Sequence, residues 1–352
     1  MSAARVALLG TGNVGRAVLE RLDAWAGRGP GARLRLVAVA NTREVRLLAG
    51  SGALLRARDG DPAAVAVRAL GTTGVRIVVD ATASEAVASR HAGWLASGLH
   101  VATACKLGAG GALARWQAIE AAAARGHACY GDSATVGAGL PLLRTIRALR
   151  DGGDRIHGIA GVLSGSLAWL LSRYDGVRPF AELVEEARVL GYTEPDPRQD
   201  LSGEDVRRKL LILARAAGVA LDAEAVAVRP LEAGLLAEAH ARARAGGGVL
   251  RYMARLQCGA DGAATARVGL EVLAAGDPLA AGSGTDNRVA IHSDRYASQP
   301  LLIQGPGAGT TVTAAALLDD ALRIAAEAGS RIGVAGPPRC AKAAAPPALS
   351  TR

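Results

Sequence analysis

Three of the 41 basic residues in this 352-residue chain are lysines: Lys106, Lys209 and Lys342. The others are arginines, which keep their proton near neutrality, whereas a lysine can release it when its surroundings demand. Proton-shuttling chemistry therefore points first to the lysines. Lys209 follows Asp205 by four residues, which on a helix puts the two side chains on one face. Taken alone, that is an exposed ion pair worth about 0.3–0.5 kcal/mol. The preceding segment, residues 191–200, is dense in carboxylates and stiffened by Pro195 and Pro197. Glu194, Asp200 and Asp205 could converge with Lys209 on a small substrate bearing an ammonium group. An amino acid oxidised or reduced at an alcohol or aldehyde carbon fits.

A second motif supplies the redox partner. Gly10-Thr11-Gly12-Asn13-Val14-Gly15 follows a strand-like run and opens a helix-like one. In that context the glycines allow a tight turn, close approach of backbone to a pyrophosphate, and close helix–strand packing. The helix N-terminus then faces the anion. NAD-specific sites usually carry an acidic residue at the end of the second strand. Here that strand ends in Ala40-Asn41-Thr42-Arg43, with no carboxylate before Glu44. Neutral Asn41 and cationic Arg43 favour NADP(H), with NAD(H) or dual use as the alternative. Lys106 follows the apolar run 99–103, at the carboxyl end of the expected sheet, where ligands bind in such folds.

The elements that must position these groups fall into two textures. Apolar runs at residues 6–9, 34–40, 77–79 and 99–103, and a weaker one at 127–130, alternate with helix-like stretches at 14–25, 85–96 and 113–125. That alternation predicts an α/β fold, with a Rossmann-type dinucleotide-binding domain over residues 1–150. Residues 51–70 give no clear element. From about residue 155, helical stretches at 165–173, 180–190 and 202–217 are followed by strand-like pieces at 250–258, 264–272, 288–293 and 301–304. This predicts an α+β domain over 151–304, with its own mixed or antiparallel sheet. Ser202 is the expected N-cap of the helix bearing Lys209. After Gly305-Pro306-Gly307-Ala308-Gly309, a helix at about 313–328, within 305–333, is expected to pack back on the first domain. Residues 336–352, with Lys342, read as a disordered tail.

Composition narrows the class. At 50% hydrophobic residues the chain is not disordered. No uncharged apolar run reaches about 18 residues, so no membrane span is expected. A strand-like run close to Met1 argues against a signal peptide. Cys105, Cys129, Cys258 and Cys340 lie far apart, as free thiols in a reducing cytoplasm would. The net charge of +9 raises nucleic acid as a partner. The arginines are spread along the chain, however, and aromatics are only 3%, so small anionic ligands fit better.

The motifs together resemble homoserine dehydrogenase, specifically the dehydrogenase portion of the bifunctional aspartokinase–homoserine dehydrogenases. The matching stretches are residues 10–15, 134–141, 161–167, 191–197 continuing through 200–210, and 305–309 with 312–314. The resemblance implies hydride transfer between NAD(P)(H) and homoserine/aspartate 4-semialdehyde, in threonine and methionine biosynthesis, by a homodimer, with 151–304 as the substrate and dimerisation domain. It implies Lys209 as the acid/base, Lys106 between cofactor and substrate, and Glu194 and Asp205, with Tyr192 and Asp200, on the substrate. On the cofactor side it implies Gly10, Gly12, Asn13, Val14, Gly15, Arg43, Thr82, Lys106 and Gly307. The family holds a monovalent cation (Na⁺) on backbone carbonyls, here those of Val136, Ala138 and Leu140, plus an acidic side chain. Ser133 stands at the acidic position, with Asp132 one residue earlier, which puts that site in doubt. Cys105 and Leu107 replace an asparagine and a second lysine around Lys106. The length leaves no room for an aspartokinase or ACT-type module, so weak threonine feedback is expected.

Three other readings compete. A catalytically silent NADP-binding regulatory protein would have no use for Glu194, Asp205, Lys106 and Lys209 together. Another Rossmann-type oxidoreductase, with Lys106 alone catalytic, does not explain residues 191–210. An aspartate semialdehyde dehydrogenase needs a cysteine nucleophile placed by a histidine. Cys129 and His127 would lie on opposite sides of a strand.

Overall fold

The computed structural model describes residues 2–25, 28–48, 54–56, 60–282 and 284–332. The tail, with Lys342 and Cys340, and parts of the 51–70 region lie outside the described residues.

The first sheet has seven strands: β1 (Ala4–Leu9), β2 (Leu34–Ala40), β3 (Glu44–Leu47), β4 (Leu54–Arg56), β5 (Arg76–Asp80), β6 (His100–Thr103) and β7 (Tyr130–Gly131). Their order is β4-β3-β2-β1-β5-β6-β7, parallel from β2 to β7 with an antiparallel β3–β4 edge. The parallel part is covered on both faces, as unbroken apolar strands require. Val6 and Leu8 pack towards helix α1 (Asn13–Trp25), while Ala7 and Leu9 pack towards α2 (Pro62–Arg68). The predicted helix at 85–96 is broken into α3 (Glu85–Ala88) and α4 (His91–Ala96). Lys106 opens a short helix, α5 (Lys106–Ala109), followed by α6 (Leu113–Arg125). The weak run at 127–130 is a turn through His127, at φ 49°, and pairing begins only at Tyr130. Cys129 and His127 therefore precede the strand and do not lie on its opposite sides.

After α7 (Leu142–Asp151) comes the second sheet: β8 (Ile156–Val162), β9 (Val226–Val228), β10 (Gly248–Cys258), β11 (Ala264–Ala274), β12 (Asp286–Ser293) and β13 (Leu301–Pro306). Its order is β13-β12-β8-β10-β11-β9, antiparallel except for β11–β9. Helices α8 (Gly165–Arg173), α9 (Phe180–Val189), α10 (Arg198–Leu201), α11 (Glu204–Ala216) and α12 (Ala233–Gly246) belong to this part. Ser202 does not cap α11. It ends α10, and Gly203 turns the chain into α11 at φ 77°. A Cβ on Gly203 would stand 2.2 Å from the Tyr252 hydroxyl, so glycine is required on two counts. Ser202 Oγ still accepts from Glu204 N at 3.2 Å.

The last helix, α13 (Thr310–Ile332), starts earlier and runs longer than expected. Its buried face, including Leu317, Leu318 and Ile324, joins Val6, Leu8, Val18 and Ile77 in one apolar cluster, so the chain's end closes the first sheet. The largest cluster runs from Leu95 and Trp116 through Ile146 to Leu210, Ile212 and Tyr252. The two sheets thus share a core through α7 and α11.

Candidate active site

Packing of α5 against α11 brings the two lysines together. Gly110, at the end of α5, sits against α11. A Cβ there would lie 3.0 Å from the Arg208 carbonyl oxygen and 3.2 Å from Ile212 Cδ1. Arg215, on α11 and only 2% exposed, donates to the Ala109 carbonyl at 2.6 Å and to that of Leu221 at 3.1 Å. It satisfies an acceptor at the end of the helix that carries Lys106.

Asp205 then lies between the lysines. Its Oδ1 is 3.3 Å from Lys106 Nζ and its Oδ2 is 2.8 Å from Lys209 Nζ. Lys209 Nζ also donates to the Leu163 carbonyl, just past β8, at 2.7 Å. The Lys209 side chain is 12% exposed and that of Lys106 35%. Burial, then the Lys106 charge, lowers the Lys209 pKa from its ordinary value, against the pull of Asp205. Burial would raise Asp205, but the two ammonium groups outweigh it and hold its carboxyl well below the usual range.

The carboxylate loop divides its labour. Asp200 does not converge on the lysines as a free ligand. Its Oδ1 accepts from Ser166 Oγ at 2.8 Å and its Oδ2 from Glu194 N at 2.9 Å. It shapes the loop, and its charge still favours the Lys209 ammonium. Glu194 is exposed, and its carboxylate has no ion pair among the described residues, which leaves it open to a ligand. Tyr192 stacks on Trp169 with ring centroids 5.0 Å apart.

A cavity of about 540 Å³ opens at the carboxyl ends of β1, β2 and β5, lined in part by Gly10, Gly12, Asn41, Thr42 and Thr82. The glycine loop suits a bound pyrophosphate. Gly10 has φ 99°, and a Cβ on Gly15 would fall 1.9 Å from the Gly10 carbonyl oxygen. A Cβ on Gly12 would meet nothing within 4 Å, so the space over this glycine is clear. Asn13 and Val14 form the first turn of α1, where free N–H groups favour an anion. Asn41 is committed: its Oδ1 accepts from Arg43 N at 2.8 Å and Glu44 N at 3.0 Å, and its Nδ2 donates to Thr11 Oγ1 at 3.1 Å. The exposed Arg43 side chain is not among the cavity's lining.

Several contributors were not singled out in the sequence. Asp80, at the end of β5, is fully buried and accepts from Thr82 N (2.9 Å), Thr82 Oγ1 (2.7 Å) and Thr103 Oγ1 (3.0 Å). His91 Nε2 lies 3.1 Å from its Oδ2, and His91 Nδ1 lies 3.1 Å from the Tyr130 hydroxyl. A carboxylate acceptor makes Nε2 the protonated nitrogen, so Nδ1 accepts from Tyr130. Thr103 Oγ1 in turn accepts from Cys105 N at 2.9 Å, one residue before Lys106. The same buried cluster thus fixes the Thr82 loop and the Lys106 loop. The Thr82 hydroxyl and N–H are both spent on it, although Thr82 still lines the cavity. A charged residue closing an apolar strand was the available signal. Gly307 packs on Asn287, where a Cβ would overlap the carboxamide carbon at 2.0 Å.

At the expected cation loop, Gly137 and Ala138 are both left-handed, at φ 73° and 51°. Asp132 is held by Arg147 through two hydrogen bonds of 2.6 and 2.7 Å. Ser133 donates through N and Oγ to Asp320 of α13, at 2.8 and 3.0 Å. Among the described residues, both carboxylates beside Ser133, Asp132 and Asp320, are thus already engaged. Among the described residues, no group of three or more His, Cys, Asp or Glu is placed to hold a metal ion.

A nucleotide-sized cavity at the end of a parallel sheet, with a buried lysine paired to a carboxylate on the adjoining unit, is the layout of a dinucleotide-dependent oxidoreductase. The family model for homoserine dehydrogenase matches residues 141–322, and that for the homoserine dehydrogenase NAD-binding domain matches residues 10–130. The chain belongs to the homoserine dehydrogenase family. A homoserine dehydrogenase from Emericella nidulans is 37% identical over 310 residues, covering 80% of this chain and 82% of that one. The bifunctional aspartokinase/homoserine dehydrogenase 2 of Escherichia coli is 41% identical over 268 residues, 71% of this chain. The chain spans only 29–33% of the length of the bifunctional relatives it matches. The crystal structure of a homoserine dehydrogenase from Thiobacillus denitrificans superposes with a TM-score of 0.74 at 25% identity, covering 95% of this chain and 76% of that one.

Proposed function

We propose that this chain interconverts L-homoserine and L-aspartate 4-semialdehyde with NADP(H), tolerating NAD(H), and that Lys209 moves the proton. The observation that carries the reading is the bonding of Lys209 Nζ. Two of its N–H groups are directed to fixed acceptors, Leu163 O and Asp205 Oδ2. The remaining position is a proton in the ammonium form and a lone pair in the amine form. One geometry therefore serves as acid towards an aldehyde oxygen and as base towards a homoserine hydroxyl. Lys106, half-exposed and facing the same carboxylate, adds positive charge where oxygen becomes negative. A bound nicotinamide would accept or supply the hydride. Glu194 receives the substrate ammonium, Tyr192 borders it, and Asp200 holds the loop in place.

The NADP lean rests on the committed Asn41 amide and on Arg43, whose charge just past β2 favours an approaching 2′-phosphate although its side chain does not line the cavity. The glycine loop, Thr82 and Gly307 complete the cofactor side. A cation on the carbonyls of Val136, Ala138 and Leu140 would be structural. The division at about residues 150 and 305, a homodimer formed through the second sheet, a cytoplasmic location, and a place in threonine and methionine biosynthesis belong to the same proposal. Among the described residues, no helix is long and apolar enough to cross a membrane.

The test is nicotinamide absorbance with homoserine and NADP. The wild type should reduce NADP. Lys209→Arg should bind both ligands yet lose about 10²–10⁴ in turnover, because arginine cannot shuttle the proton. Full activity of Lys209→Arg refutes the role, and no homoserine-dependent reduction by the wild type refutes the reaction.

A further inference from the structure

The cofactor cavity holds a charge pair that the reading above does not use. Among the described residues lining it, Asp61 and Arg90 are the charged ones. Asp61 caps α2 on one side, Arg90 stands between α3 and α4 on the other, and the two form an ion pair. Both side chains are well exposed, at 41% and 38%, so the pair is readily exchanged. The partners differ in what they lose on separation. Asp61 Oδ1 accepts from Ala63 N at 3.0 Å and Ala64 N at 3.4 Å, and those bonds stay when Arg90 leaves. Arg90 has no other described side-chain partner. A phosphate offers its guanidinium a doubly charged acceptor matched to its planar fork.

We propose that Arg90 is a specificity-determining residue that releases Asp61 and takes the 2′-phosphate on the adenosine ribose of an NADP-type cofactor. Asp61 is the competing anion that holds Arg90 when no such phosphate is present. The proposal rests on the reading that this cavity binds a nicotinamide dinucleotide. It gives the two halves of the pair opposite effects. Removing Arg90 removes the phosphate's partner. Replacing Asp61 by asparagine keeps a good N-cap but removes the competitor.

The experiment is fluorescence titration of the full chain with NADPH and NADH, with displacement by 2′,5′-ADP, 5′-ADP and inorganic phosphate. Arg90→Gln should weaken NADPH and 2′,5′-ADP by about ten- to a hundredfold, the worth of a charged hydrogen bond, and leave NADH within about twofold. Asp61→Asn should tighten NADPH while leaving NADH unchanged. Equal loss of both nucleotides in Arg90→Gln would mean a wall of the cavity and overturn the proposal. So would NADPH weakened by Asp61→Asn, or selectivity lost in Arg43→Gln but kept in Arg90→Gln. A wild type that binds neither nucleotide overturns the cofactor reading itself. A wild type that binds both while Arg90→Gln is unchanged overturns this inference alone.

Discussion

Gly110→Ala is a direct probe of how the site is assembled. Gly110 has an ordinary φ, −109°, so a methyl adds no backbone strain, only volume. The added Cβ would stand 2.8 Å from the Lys106 carbonyl oxygen and 3.0 Å from that of Arg208, where ordinary contact begins at 3.4 Å. Both obstacles are backbone and cannot rotate aside. Opening the Arg208 contact moves α5 from α11 by about 0.4 Å, taking Lys106 Nζ from 3.3 Å towards the 4.0 Å limit of its pairing with Asp205. A 1 Å misplacement can cost about a hundredfold in rate, so a shift of this size should cost about three- to tenfold in kcat. Overpacking should also cost about 1–3 kcal/mol of stability. Steady-state kinetics in both directions, with a thermal melt, separate the two effects. Gly234→Ala, where a Cβ meets nothing within 4 Å, is the control. A Gly110→Ala enzyme that is destabilised but turns over at the wild-type rate would refute the claim that this helix contact sets the lysine geometry.

Two further outcomes follow from the charges. Burial and Lys106 hold Lys209 below its ordinary value of 10.5, so homoserine oxidation should gain its base, and rise with pH, before a free lysine would titrate. Aldehyde reduction should fall over the same range. Lys106→Gln removes the like charge and should move the limb to higher pH in a pH–rate profile; movement to lower pH contradicts the assignment. With Asp132 bound to Arg147 and Ser133 bound to Asp320, activity should differ little among Na⁺, K⁺ and a bulky organic cation at matched ionic strength. A strong dependence on one of them would show that the carbonyls of the 136–140 loop suffice to hold it.

The parts that could be read in advance are those whose signal is local. The glycine loop after β1, the long strands β10 and β11, and the four-residue spacing of Asp205 and Lys209 are each written into adjacent residues. What escaped depends on tertiary meetings. Nothing around Asp200 in the sequence distinguishes a substrate carboxylate from one spent on Ser166 and Glu194 N. Arg43 and Arg90 look alike as surface arginines until the cavity shows which of them lines it. In the Asp80–His91–Tyr130 cluster, His91 and Tyr130 are 39 residues apart, and Asp320 reaches Ser133 across 187. Short helices such as α5 carry too few residues to show a period.

The scarcity of lysine acquires a physical meaning from the charge count of the cluster. Asp205, Lys106 and Lys209 together carry one positive charge when Lys209 is an ammonium and none when it is an amine. Reducing an aldehyde places negative charge on oxygen, and in the proposed reaction the cationic state would both stabilise that charge and supply the proton. Oxidising an alcohol begins by taking a proton, and the neutral state has the lone pair to accept it, with Asp205 and the Leu163 carbonyl already placed to hold the ammonium that forms. Arginine at 209 would lock the cluster in the cationic state, and a carboxylate there would repel the developing oxyanion. Only a group that can lose its proton while keeping its bonds to Leu163 O and Asp205 serves both directions, and among the side chains long enough to reach them from α11 that group is lysine.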